Sequence, residues 1–207
     1  MIQEVVAIID RSGSMYGKEV DTIGGINTTI EELKKNKNED ESIKFSLKLF
    51  DNEEYLKIRS KNIEDIYTLT KEDLKPRGQT ALLDAMGTTL TFFINKKIVN
   101  PNSFDSCIIY VTTDGLENCS HKYNNDMIKN LIQHGSTIGI QVLYLGANQD
   151  SILEAKKFGL NHENAMNYSE TAQNTQEAYR SIGNAAKRVR TGVSIGFSEN
   201  ERARSER

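Results

Sequence analysis

Val5-Val6-Ala7-Ile8-Ile9 runs straight into Asp10-Arg11-Ser12-Gly13-Ser14. Five consecutive apolar residues, four of them β-branched, predict a short strand covered on both faces. The polar text that follows predicts a loop, with Gly13 permitting the turn. Residues 107–112 and 138–145 are similar, nearly continuous apolar runs. Residues 43–50 differ: Ile43, Phe45, Leu47 and Leu49 alternate with Lys44, Ser46 and Lys48. Strict alternation predicts a strand with one wet face, close to a sheet edge. Asp51-Asn52-Glu53 then reads as a turn into residues 55–59, an antiparallel hairpin.

Helical periods separate these strands. Val20, Ile23, Ile30 and Leu33 form one apolar stripe, and Leu82, Leu83, Met86, Leu90, Phe93 and Ile94 another. Shorter stripes follow at Met127, Ile128, Leu131 and Ile132, and at Ile152, Leu153, Ala155 and Phe158. The last comprises Tyr179, Ile182, Ala186 and Val189, after a short strand near residues 164–168. Strands alternating with helices predict an α/β fold, a doubly wound and mostly parallel sheet with helices on both faces. Residues 1–190 read as one domain. Residues 191–207 are poor in apolar anchors and read as a polar, flexible tail.

Of the 207 residues, 26 are basic and 29 acidic, a net charge of −3. That balance disfavours a nucleic-acid partner, because no basic excess exists to neutralise phosphates. No apolar run reaches the roughly 20 residues that span a bilayer, so no membrane segment is expected. Met1-Ile2-Gln3-Glu4 enters the first strand without a basic and apolar leader, which points to a cytoplasmic chain. Two cysteines are too few for a disulfide scaffold or a zinc site. Cys107 reads as a buried small hydrophobe, and Cys119 as a free thiol in a polar loop.

Doubly wound sheets bind ligands beyond the carboxyl ends of their strands. The residues there are Asp10-Arg11-Ser12-Gly13-Ser14, Thr113-Asp114-Gly115 and Gly146-Ala147-Asn148-Gln149-Asp150, with Gly78-Gln79-Thr80 before the second long helix. Alternate residues of an extended loop point the same way, so Asp10, Ser12 and Ser14 can converge. All are hard oxygen donors, suited to Mg²⁺ or Mn²⁺ rather than zinc or copper. Neutral hydroxyl ligands leave a cation most of its charge. It then seeks an anionic oxygen from outside, such as a partner's Asp or Glu carboxylate.

Asp10-x-Ser12-x-Ser14, then Thr80, then Asp114 resembles the metal-ion-dependent adhesion site (MIDAS) of von Willebrand factor A (VWA) domains. Thr80 lies sixty-six positions after Ser14, and Asp114 thirty-four positions after Thr80. All five positions of the discontinuous motif are matched, over a resemblance spanning roughly residues 1–190. Asp21-Thr22-Ile23-Gly24-Gly25 and Leu145-Gly146-Ala147-Asn148 resemble a bacterial and phage-type intracellular branch. The resemblance implies a Rossmann-like sandwich with one short antiparallel edge strand. It implies that Ser12, Ser14 and Thr80 bind Mg²⁺ (or Mn²⁺, with Ca²⁺ a further candidate) directly. Asp10 and Asp114 would act directly or through water. It also implies a binding module rather than an enzyme, capturing an acidic residue of a protein partner.

Two other functions compete. A metal-independent scaffold of a phage or multi-protein complex needs none of these ligands. A haloacid-dehalogenase-like phosphatase would use Asp10 as nucleophile, but it wants an Asp two residues on as general acid, and Ser12 stands there. Outside the motif, Thr80 reads equally as the N-cap of a helix starting at Ala81. Arg11 reads as an exposed cation, and His121, His134 and His162 as surface residues, with His121 able to rim the site. Asn148 and Asp150 could shape the binding face or cap the next helix. Gly24-Gly25 interrupts a helical pattern at about 1 kcal/mol each relative to Ala, which points to close helix–sheet packing. Lys187, Arg188 and Arg190 suit a helix C-terminus. The sequence leaves oligomeric state open.

Overall fold

A computed structural model describes residues 1–147, 151–192 and 196–206. In chain order the elements are β1 (Ile2–Asp10), α1 (Glu19–Lys35), β2 (Ser42–Phe50), β3 (Glu54–Asn62), α2 (Leu82–Val99) and β4 (Ser106–Thr113). Then come α3 (Asn125–Thr137), β5 (Ile140–Ala147), α4 (Ser151–Lys157), β6 (Ala165–Tyr168), α5 (Ala172–Thr191) and α6 (Glu199–Ser205). The six strands form one sheet in the order β3-β2-β1-β4-β5-β6. All neighbours are parallel except β2 and β3, the expected hairpin. Its turn is closed by the Glu53 N–H donating to Asp51 Oδ1 at 2.6 Å.

Continuous apolar runs appear where both sheet faces are covered. Val5, Ala7 and Ile9 of β1 pack with Ile26 and Leu33 of α1 and Tyr179 and Ile182 of α5. Val6 and Ile8 face the other way, against Leu82, Met86 and Phe93 of α2. Cys107 is buried in that second layer, as its run predicts. The chain leaves β1 toward β2 on one side, and β4, β5 and β6 build outward on the other. The switch point therefore lies between the carboxyl ends of β1 and β4, which carry Asp10 and Asp114.

Several details differ from the sequence reading. Val20, Met127 and Leu153 belong to the apolar stripes but are exposed. The glycine pair serves helix–helix rather than helix–sheet packing, and only one member serves it. A Cβ on Gly25 would meet the buried Tyr179 ring of α5 at 2.4 Å, whereas one on Gly24 would meet nothing.

The expected fraying beyond Arg190 does not hold for residues 196–206. Phe197 is buried, and Ser198 and Glu201 form a reciprocal capping box at the start of α6. Arg188 grips Glu201 through two bonds, 3.0 and 2.9 Å, and donates to the Gly196 carbonyl at 2.6 Å. Arg190 is buried and donates to Gln3 Oε1 at 2.6 Å and to the Asn36 carbonyl at 2.8 Å. Arg188 thus docks the chain end, whereas Arg190 ties the end of α5 to β1 and to the stretch after α1.

Candidate metal-binding site

Asp10 is the last residue of β1, fully buried, with both carboxylate oxygens engaged. Oδ1 accepts the Ser12 N–H and Oδ2 accepts the Thr113 hydroxyl, each at 2.6 Å. Burial pushes its carboxyl above the ordinary carboxylate range, against the pull of those hydrogen bonds. The loop then turns tightly, and the Gly13 N–H donates to the Gly78 carbonyl at 3.1 Å. Gly78 has φ +70°, and a Cβ there would strike Asn52 Oδ1 at 2.1 Å, so only glycine fits. This contact brings the stretch before α2, with Thr80, against the first loop.

The hydroxyls form a directed chain. Ser14 Oγ donates to Asp114 Oδ1 at 2.6 Å, which uses its only proton. The 3.0 Å contact between Ser12 and Ser14 is therefore donated by Ser12. Thr80 does not cap α2, whose N-cap is Ala81 with no side-chain bond. It is held instead by its own N–H, which donates to Asn118 Oδ1 at 2.9 Å. A Cβ on Gly115 would lie 3.4 Å from both Ser14 Oγ and Thr80 Oγ1, so the two hydroxyls flank the same small space. All five expected residues thus meet at the switch point, drawn from the ends of β1 and β4, the first loop and the turn before α2.

Other functional neighbours escaped sequence reading. Lys18 Nζ lies 2.5 Å from Asp114 Oδ2 and also pairs with Glu170, ahead of α5. Burial works against this ammonium, but its bonds to the two carboxylates prevail and hold its pKa above the usual lysine value. Thr113, read from the sequence only as the start of the Thr113-Asp114-Gly115 stretch, orients Asp10. Arg11 is not the free cation expected. It pairs with buried Asp51 at 2.9 Å and lies over the Tyr55 ring, while Arg77 binds the same Asp51 oxygen at 2.8 Å. All three histidines are exposed, and His121 lines a neighbouring polar cleft of about 520 Å³ with Gln79 and Asp84. Asn148 and Asp150 lie outside the described residues.

The donor set fits a hard divalent cation. It offers two carboxylates and three hydroxyls in one cradle, with no nitrogen or sulfur ligand among the hydrogen-bonded residues. Among the described residues, no group of three His, Cys, Asp or Glu side chains could hold a metal, so hydroxyls are essential to any such site.

A six-stranded α/β sandwich with an oxygen-lined cradle at its switch point defines a structural class. Its fold is that of VWA domains, seen in solved structures of low sequence identity. Proximal thread matrix protein 1 (PTMP1) from the mussel byssus superposes with a TM-score of 0.64 at 15% identity, over 90% of this chain and 46% of its own. The vWF domain of the type V pili tip protein Mfa5 from Porphyromonas gingivalis gives 0.64 at 13%, over 96% and 98%. A von Willebrand factor type A protein from Catenulispora acidiphila gives 0.61 at 17%, over 89% and 42%. This chain therefore spans less than half of PTMP1 and of the C. acidiphila protein, but nearly all of the Mfa5 domain. PTMP1 has also been solved with zinc in its MIDAS motif, so hard donors alone do not exclude zinc from such a site. No protein-family sequence profile and no curated protein sequence matches the chain. Among the described residues, no helix is long and apolar enough to cross a membrane.

Proposed function

We propose that the chain is a VWA-type binding module that holds a divalent cation on Asp10, Ser12, Ser14, Thr80 and Asp114. Mg²⁺ or Mn²⁺ suits this set best, and Ca²⁺ is accepted less readily because it wants more oxygens. The observation that carries the reading is the convergence of five oxygen-bearing side chains from three separated segments, residues 10–14, 80 and 114. When bound, the ion supplies an electrophilic position for an external oxygen.

The chain's own residues prepare that position. Thr113 and the Ser12 N–H fix the Asp10 carboxylate. Ser12 and Ser14 stand in line toward Asp114. The partner is a protein presenting an Asp or Glu carboxylate. Ser12, standing where a phosphatase of the haloacid-dehalogenase type needs its general acid, favours binding over catalysis. Two free cysteines and the absence of a disulfide among the described residues favour a cytoplasmic setting.

Selection of binders from a displayed peptide library, in Mg²⁺ and again in EDTA, tests this. Enriched peptides should carry Asp or Glu, and should be lost in EDTA and with Asp10→Ala. Peptides retained under both conditions contradict the proposal.

A further inference from the structure

Beneath the β2–β3 hairpin, on the α2 side of the sheet, lies a cavity of about 390 Å³. Val6, its lining residue from β1, lies about 13 Å along the strand from Asp10 at roughly 3.3 Å per residue, and the cavity owes nothing to the cation reading. Val6 and Phe93 contribute to its apolar lining, and Leu56 and Phe92 line it while remaining 38% and 55% exposed. A volume of this size is that of small-molecule sites, about 300–1,000 Å³.

Two costly features adjoin this cavity. Ser60 is the one non-glycine residue with positive φ among the described residues, at +40°. It sits where the β2–β3 register is irregular. Such backbone costs on the order of 1–3 kcal/mol and persists only where its surroundings hold it. Here the Ser60 N–H donates to Ser46 Oγ at 2.8 Å, and its hydroxyl donates to Glu4 Oε1 at 2.8 Å. The second feature is Glu4 itself, a fully buried carboxylate paired with Lys96 at 2.6 Å. Buried ion pairs of this kind add little to stability compared with apolar packing. A fold that keeps strain and buried charge around one apolar cavity is holding a shape, and shape is what a ligand reads.

Charge selects the ligand. Lys96 is committed to Glu4, and Lys48 to Glu54 at 2.7 Å. Arg59 is exposed, lines the cavity and has no hydrogen-bond or ion-pair partner among the described residues. One free guanidinium beside apolar walls matches one carboxylate, which it can bind through two parallel bonds. We infer that this cavity binds a small amphiphilic monocarboxylate, its acid on Arg59 and its apolar body between Leu56 and Phe92.

Octanoate is the probe, followed by calorimetry and by amide chemical shifts in the full chain. Saturable one-to-one binding is expected, with shifts centred on Leu56, Ser60 and Phe92, and no binding of octylamine. Arg59→Glu, at an exposed position, should leave the melting temperature in place and weaken octanoate by about tenfold or more. Leu56→Glu should weaken it similarly by charging the apolar wall. No saturation at millimolar octanoate overturns the inference, as do unchanged binding by Arg59→Glu or shifts centred elsewhere.

Discussion

Lys18→Met removes an ammonium that touches a candidate cation ligand. Its Nζ lies 2.5 Å from Asp114 Oδ2, and the Asp114 side chain is only 3% exposed. A unit pair at 4 Å and an effective dielectric of 20 attracts by about 4 kcal/mol, whereas freely exposed pairs return about 1 kcal/mol or less. The Lys18 side chain is 32% exposed, so its contribution falls between these limits. In EDTA, Lys18→Met should lose roughly 1–2 kcal/mol of folding stability, because Asp114 keeps only the Ser14 hydroxyl. For Mg²⁺ the sign reverses. The same positive charge repels a dication at Asp114, so its removal should tighten Mg²⁺ by about tenfold, equivalent to 1.4 kcal/mol. Urea denaturation in EDTA reads the first effect and calorimetric Mg²⁺ titration the second, with Lys18→Arg as the charge-keeping control. Mg²⁺ affinity that falls or stays level in Lys18→Met would mean that Lys18 does not compete for the carboxylate.

Adjacent glycines should respond with opposite signs. Gly24→Ala meets open space and should stabilise α1 by about 0.5–1 kcal/mol, whereas Gly25→Ala drives into Tyr179 and should cost about 1–3 kcal/mol in urea denaturation. Asp84 accepts the N–H groups of His121, Lys122 and Tyr123 at 2.9–3.0 Å. Burial opposes its ionisation, but these bonds prevail and hold its carboxyl below the ordinary range. A depressed carboxylate stabilises above its unfolded pKa of about 3.9, and the effect is lost as pH falls through the folded value. Asp84→Ala should therefore cost about 2 kcal/mol at pH 7, with the gap to wild type narrowing in acid denaturation curves below about pH 4. Arg188→Met should release α6, seen as faster amide exchange at residues 199–205 while the amides of β1 stay protected.

The sheet was legible because burial on two faces writes itself as unbroken apolar runs, as at residues 5–9 and 107–112. The wet face of β2 wrote itself equally clearly as alternation. Topology made the strand-end and helix-start stretches legible, and the resemblance to the VWA motif singled out the five cradle residues within them. What stayed hidden depends on distant partners. Lys18, Asp114 and Glu170 are far apart in sequence, and no local period marks a lysine that will meet two carboxylates. The docking of residues 196–206 was missed because Phe197 is its single large apolar anchor, and arginine bonds to carbonyls and to Glu201 do the rest. Helical periodicity overreached at Val20, Met127 and Leu153, since a period shows which residues share a face, not how far the neighbouring element extends. Strain at Ser60 also leaves no trace in residue type, because it follows from the β2–β3 register.

The proposed function stands on a divalent cation held by Asp10, Ser12, Ser14, Thr80 and Asp114. Thermal unfolding in EDTA and then in Mg²⁺, Mn²⁺ and Ca²⁺, beside Asp10→Ala, reads that ion without needing a partner. An ion at ~100 times its dissociation constant stabilises the native state by about 2.7 kcal/mol, a rise of several degrees for a domain of this size. That rise should appear with Mg²⁺ or Mn²⁺ in the wild type and vanish in Asp10→Ala. An unchanged melting temperature at millimolar Mg²⁺ and Mn²⁺, or an equal rise in the variant, would contradict it.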